Sequence, residues 1–171
     1  MAIAKHILFA ALGGVLIIGQ ALAATQSVTA SASFDDPLTV TKDADISFGI
    51  LKAATSGTYV ITPSGSLTAS NGGVAIGGAP TYGKITISGS ATQTISVRTG
   101  SYVANSGVVP SAATCVYSGV AITNCDAGAS SLTAPGSGGK VLTLGLTIAA
   151  DGTQTAGSTA TPSFVVTVLY H

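Results

Sequence analysis

The chain has 171 residues, with six Lys or Arg, six Asp or Glu and two His, for a formal net charge of zero at neutral pH. So few and so scattered basic residues exclude a nucleic-acid surface built on phosphate neutralisation. Glu and Trp are absent and the single Met is the first residue, while Gly, Ala, Ser, Thr and Val dominate, a composition that favours strands and turns over helices. Apolar β-formers recurring at period 2 argue for a folded all-β domain rather than a disordered chain.

In chain order, Lys5 precedes an apolar run, Ile7 to Ile18, broken only by Gly13-Gly14, and Ala21-Leu22-Ala23 is a small-x-small site. This predicts a secretory signal peptide over residues 1–23, cut after Ala23. The run is too short for a membrane span, which needs about 20 apolar residues. No second long run follows, so no span is expected in the mature chain. Losing Lys5 leaves five basic residues against six acidic ones. The remainder is long enough for one domain with its own core.

The start of the mature chain, Thr25 to Phe34, contains Ser27-Val28-Thr29-Ala30-Ser31-Ala32-Ser33-Phe34, with apolar residues at 28, 30, 32 and 34. That is a strand with one face to bury, and Asp35-Asp36-Pro37 separates it from the next strand. A strand set behind such a break can pair with a sheet that is not its own. Residues 24–36 are therefore read as an extension and 37–171 as the domain.

Within the domain, strands are expected at Leu38 to Lys42, Ile46 to Leu51, Gly57 to Thr62, Lys84 to Gly89 and Gln93 to Arg98. Val74 and Ile76 predict a short edge strand. A turn is placed at Asp43-Ala44-Asp45, and Pro63-Ser64-Gly65 marks another. Ala113 to Ile122 is apolar around Cys115, Tyr117 and Val120, Ala127 to Gly139 reads as loop, and a long strand begins at Val141-Leu142. Phe164 to Tyr170 closes the chain, apolar on both faces and so needing cover on both. Many short strands with regular turn signals predict an antiparallel β-sandwich, with a closed barrel as the alternative pattern.

Candidate sites fail one by one. Cys115 and Cys125, in an exported chain, are expected to form a disulfide, since two thiolates without a nearby histidine do not complete a metal site. No metal and no cofactor are expected. His6 lies in the signal peptide and His171 is the last residue, so a nucleophile has no internal base and no enzyme is predicted. The six acids, Asp35, Asp36, Asp43, Asp45, Asp126 and Asp151, are read as solvated turn residues. Gly136-Ser137-Gly138-Gly139-Lys140 lacks the outer positions of a phosphate loop and leads into a strand. The five tyrosines are spread singly and read as packing residues.

A cleaved signal, an alternating N-terminal extension, an all-β body, one local disulfide and a penultimate tyrosine resemble the pilin subunits of the chaperone–usher pathway. Pro37 to Lys42, Asp45 to Gly49, Pro63-Ser64-Gly65 and Phe164 to Tyr170 resemble the bacterial family called domain of unknown function 4402, itself similar to archaic pilins and spore-coat-U-like domains. The chain departs from that pattern over Asn105 to Gly139 and at Thr161-Pro162-Ser163.

The resemblance implies an immunoglobulin-like sandwich missing one strand. Val28, Ala30, Ala32 and Phe34 of another subunit would complete it by strand addition. Phe164, Val166, Val168 and Tyr170 would be the groove edge or the strand that pairs with a chaperone. The implied partners are identical subunits in a head-to-tail filament, a periplasmic chaperone and an outer-membrane usher. The implied location is the cell surface, as a fimbrium reached through the periplasm. The alternative is a monomeric secreted β-sandwich that binds carbohydrate or another surface ligand and uses residues 25–34 as its own edge strand.

Overall fold

A computed structural model describes residues 26–171; the predicted signal peptide lies outside the described residues, as do Ala24 and Thr25. The alternating segments become twelve strands, with no helix among the described residues. They are β1 (Thr39–Ala44), β2 (Ile50–Leu51), β3 (Ser56–Ile61), β4 (Leu67–Ser70), β5 (Ala75–Gly77) and β6 (Gly83–Ser88). Then come β7 (Ile95–Val103), β8 (Val108–Tyr117), β9 (Val120–Ile122), β10 (Ala129–Leu132), β11 (Lys140–Asp151) and β12 (Ser163–Tyr170). The chain divides at Phe34: residues 26–33 belong to one unit and form no strand, and all twelve strands belong to the other.

Strand β11 is the spine, because its alternation supplies Leu142, Leu144, Leu146 and Ile148 to one face and all four are buried. Along one side it pairs antiparallel with β8, and β9 follows β8. The other side is shared: β6 pairs with residues 140–144 and β3 with residues 146–151. The sheet thus forks at Gly145, with β1 beyond β6 and β4 beyond β3. A second sheet has the order β10-β7-β12, and β2 and β5 form a separate ribbon.

The two sheets pack as a sandwich with free edges, so the pattern resolves against a closed barrel. Over one half, Ile85, Ile87 and Leu142 of the large sheet meet Ile95, Val97 and Val168 of the small one in a closed core. Over the other half, Tyr59, Ile61, Val108, Leu146 and Ile148 form a second cluster, flanked by the partly buried Ile46, Phe48, Leu51, Tyr102 and Phe164. Burial of these side chains, about 2 kcal/mol for each large one, is what opposes the chain entropy.

Several expected boundaries move. Residues 127–139 are not all loop, since β10 pairs with β7 there. Its two outer residues are half-buried and the two Ser between them are exposed, too weak an alternation to read. β4 was not expected, although Leu67 and Ala69 alternate. β8 begins five residues before Ala113, and β7 runs five residues past Arg98. The turn at Asp43 is instead a bulge inside β1, where the register with β6 shifts between Lys42 and Ala44.

Cys115 and Cys125 form the expected disulfide, with Cα atoms 5.9 Å apart, and both are buried. Closing a loop this short removes unfolded-state entropy worth about 2–3 kcal/mol. The double variant Cys115→Ala/Cys125→Ala is expected to lose about that much stability in urea denaturation; an unchanged midpoint would contradict this account.

Candidate functional site

The half of the sandwich that the small sheet leaves uncovered holds a cavity of about 1060 Å³. Its floor is the inner face of the large sheet, with Tyr59, Leu144, Leu146 and Ile148 among the residues that line it. One wall is the segment from Lys42 to Ala53, carrying Ile46, Phe48 and Leu51; the other is the segment from Gln154 to Val166, ending in Phe164 and Val166. Segment 42–53 is held at its middle by a two-way bridge, with Ser47 N–H donating to Thr81 O at 2.9 Å and Thr81 N–H to Ser47 O at 2.8 Å. The ribbon of β2 and β5 continues that wall and leaves Ile50 and Ile76 exposed.

Among the described residues, strand β12 forms one edge of the small sheet, with β7 as its neighbour. The N–H of His171 donates to Thr94 O at 2.9 Å on the β7 side. By the alternation of an antiparallel pair, Leu169, Thr167 and Val165 also direct their backbone groups to β7. Val166, Val168 and Tyr170 therefore turn their N–H and C=O groups to the free edge. An apolar groove whose rim carries strand groups unpaired among the described residues is what a further strand would fill.

The wall at Phe164 depends on an irregularity in β7. Val165 is opposite Gly100 and Ser163 opposite Val103, so two residues of β7, Ser101 and Tyr102, face the single residue Phe164. Ser101 takes a left-handed φ of 53°, as expected of a bulge. The extra residue returns Tyr102 to the inner face that carries Val97 and Thr99. Its ring stacks on Phe164, with centroids 5.8 Å apart and an interplanar angle of 28°. The Tyr102 hydroxyl donates to Asp126 Oδ1, the atom that also accepts from Thr99 Oγ1. Burial, and then the bond to Asp126, hold the Tyr102 phenol above its ordinary pKa.

Other predicted residues lie elsewhere. Val28 is 92 % exposed, Ala30 and Ala32 are exposed, and Phe34 is 95 % exposed. Of the four residues read as a groove edge, Phe164 and Val166 line the cavity, whereas Val168 is packed in the closed core. The Tyr170 hydroxyl donates to Asp36 O at 2.7 Å and accepts from Ser90 N–H at 2.7 Å. Tyr170 thus ties the end of β12 to the point where the chain enters the domain.

Of the six acids, Asp36, Asp45 and Asp151 fit the reading as exposed turn residues, whereas Asp35, Asp43 and Asp126 bond to segments distant in sequence. Asp126 is half-buried and bonded as above, and Asp43, at the bulge of β1, accepts from Thr86 Oγ1 at 2.7 Å. Asp35 accepts from the buried Ser90 hydroxyl, the first cause of its lowered pKa. Asp151 ends β11 and is lowered by Thr153, first through the backbone N–H. Asp45 keeps an exposed ion pair with Lys42 at 2.8 Å. The bonds of Asp35, Asp43 and Asp126 join segments distant in sequence, so local turn chemistry could not reveal them.

The family model described as Domain of unknown function (DUF4402) matches residues 38–170. The chain belongs to the DUF4402 family. Neither curated proteins nor solved structures give a match. The DUF4402 match begins one residue before β1 and ends on the last residue of β12, so it spans the sandwich with both walls of the groove. Within this DUF4402 domain, sequence reasoning missed Ile46, Phe48 and Leu51 as a wall, and Tyr102 and Asp126 as supports for Phe164. The apolar Tyr102-Val103 pair after Gly100-Ser101 was the available signal that β7 continues.

Proposed function

We propose that this DUF4402 chain is the structural, major pilin-like subunit of a bacterial surface filament assembled by donor-strand exchange. The observation that carries this reading is the open groove of about 1060 Å³ bordered by the free edge of β12. An apolar groove and an unpaired strand edge are both liabilities that pairing with another strand removes. Val28, Ala30, Ala32 and Phe34 of the next subunit are the matching occupant, apolar on one face and polar on the other. Fully extended, residues 28–34 cover about 20 Å, comparable to the length of β12.

Insertion of one copy's extension into the next is head-to-tail and does not close, so it grows a filament. Before assembly a periplasmic chaperone covers the groove beside Phe164 and Val166 and pairs with the edge of β12 through Val168 and Tyr170, and an outer-membrane usher passes the subunit to the surface. This role asks for no catalytic group and no cofactor.

The test is electrophoresis of surface-sheared material in SDS, unheated and heated, for the wild type and Ala32→Asp. A ladder of multimers that collapses to monomer on heating, and that is missing in the variant, is the expected result. Monomer in every lane, with secretion unchanged, would overturn the filament and point to a monomeric ligand-binding sandwich.

A further inference from the structure

The disulfide loop reaches the groove through one carboxylate. Cys125 is fixed to Cys115 on the inner face of β8, and its carbonyl accepts from Thr99 N–H at 3.0 Å. The next residue, Asp126, accepts three more hydrogen bonds. Its carbonyl accepts from Arg98 Nε at 3.0 Å, and its carboxylate accepts from the Thr99 and Tyr102 hydroxyls. Asn124 closes the turn beneath it, its Oδ1 accepting from Ala127 N–H at 3.0 Å.

A bulge interrupts the regular ladder and re-aims side chains, so its geometry needs outside support. Tyr102 sits at this bulge and is itself only half-buried, so its ring direction is not fixed by packing alone. The bond to Asp126 supplies the missing constraint, and Tyr102 transmits it to Phe164 by stacking. Phe164 in turn lines the groove beside Val166.

We infer that Asp126, set in place by the Cys115–Cys125 disulfide, is a positioning residue that shapes the groove wall by holding Tyr102 against Phe164. The inference deepens the proposed function, and its value for strand uptake rests on that reading. Its geometric part stands by itself.

Two measurements on the full mature chain separate the two. In protein labelled selectively at phenylalanine, the Phe164 ring resonances are expected to move in Asp126→Ala and in Tyr102→Phe, which removes a single hydroxyl and keeps the fold. They should stay in place in Asp126→Asn, which keeps an acceptor oxygen. They should also stay in Tyr117→Phe, which loses a comparable hydroxyl bond, to Thr133 O at 3.2 Å, in the closed half. Unmoved Phe164 resonances in both Asp126→Ala and Tyr102→Phe would overturn the inference.

The second measurement is the affinity for a synthetic peptide of residues 25–36. It is expected to fall about three- to tenfold in Asp126→Ala and Tyr102→Phe, the effect of one lost hydrogen bond, and to hold in Tyr117→Phe. Equal affinity across wild type and all variants would overturn a role for Asp126 in strand uptake. A wild type that takes no peptide would sink the strand-exchange reading, while the Phe164 resonances would still decide what Asp126 does.

Discussion

Gly145→Val is expected to be strongly destabilised, with its urea midpoint far below that of the wild type. Gly145 stands where β11 changes neighbours from β6 to β3, with Thr114 of β8 opposite. A Cβ at this position would lie 2.3 Å from Ile61 O, 2.4 Å from Thr114 Oγ1 and 2.9 Å from Pro63 Cδ. The carbonyl belongs to the end of β3 and the proline ring to the turn after it, so neither can rotate aside. Overpacking at backbone usually costs 1–3 kcal/mol, and the added valine methyls bring this to about 3 kcal/mol or more. Gly138→Ala, where a Cβ meets nothing within 4 Å, should stay within about 0.5 kcal/mol of the wild type. Urea denaturation followed by far-UV circular dichroism measures both. A Gly145→Val midpoint equal to the wild type would refute the fork as the reason for this glycine.

Val166→Asp is expected to abolish multimers and leave the subunit folded. Val166 is half-buried and lines the groove, so in the free chain a carboxylate there still reaches water and costs about 1 kcal/mol. Once a strand occupies the groove the same carboxylate is taken out of water, and burying it opposes insertion by about 3 kcal/mol or more, over a hundredfold in affinity. Val165→Asp, on the opposite face of β12 where Val165 is 52 % exposed, should leave the ladder intact. Unheated SDS electrophoresis reads the multimers and urea denaturation the subunit. A full ladder from Val166→Asp would mean that the groove does not receive the strand.

Most strand positions are legible where one face is buried and the other wet, β4 and the first half of β8 being the exceptions. Leu142, Leu144, Leu146 and Ile148 announce β11 because period-2 burial leaves a period-2 pattern in the residues. The same holds for Ile85 and Ile87 in β6 and for Ile95 and Val97 in β7. β10 escaped because its middle is two exposed Ser and its end residues are only half-buried. β7 was cut short because the bulge at Ser101 breaks the alternation that would have carried the reading on to Tyr102. The disulfide was legible because the chain has two cysteines and so a single possible pairing. Asp126 was misread for the opposite reason, since an acid beside Cys125 looks like any turn acid until β7 is seen against it.

An all-β chain, a local disulfide, an alternating segment before Asp35 and a last strand apolar on both faces are all written in the residues themselves. Each of these is a local property, set by side-chain alternation, turn residues and spacing. Which strands are neighbours was decided only in the tertiary structure, since pairing joins segments as distant as β1 and β6 or β7 and β12. The same holds for the groove, because an unfilled space belongs to no residue. It exists where the small sheet stops short of the large one, and its shape follows from how Ile46, Phe48, Leu51, Phe164 and Val166 come to stand around Leu146 and Ile148.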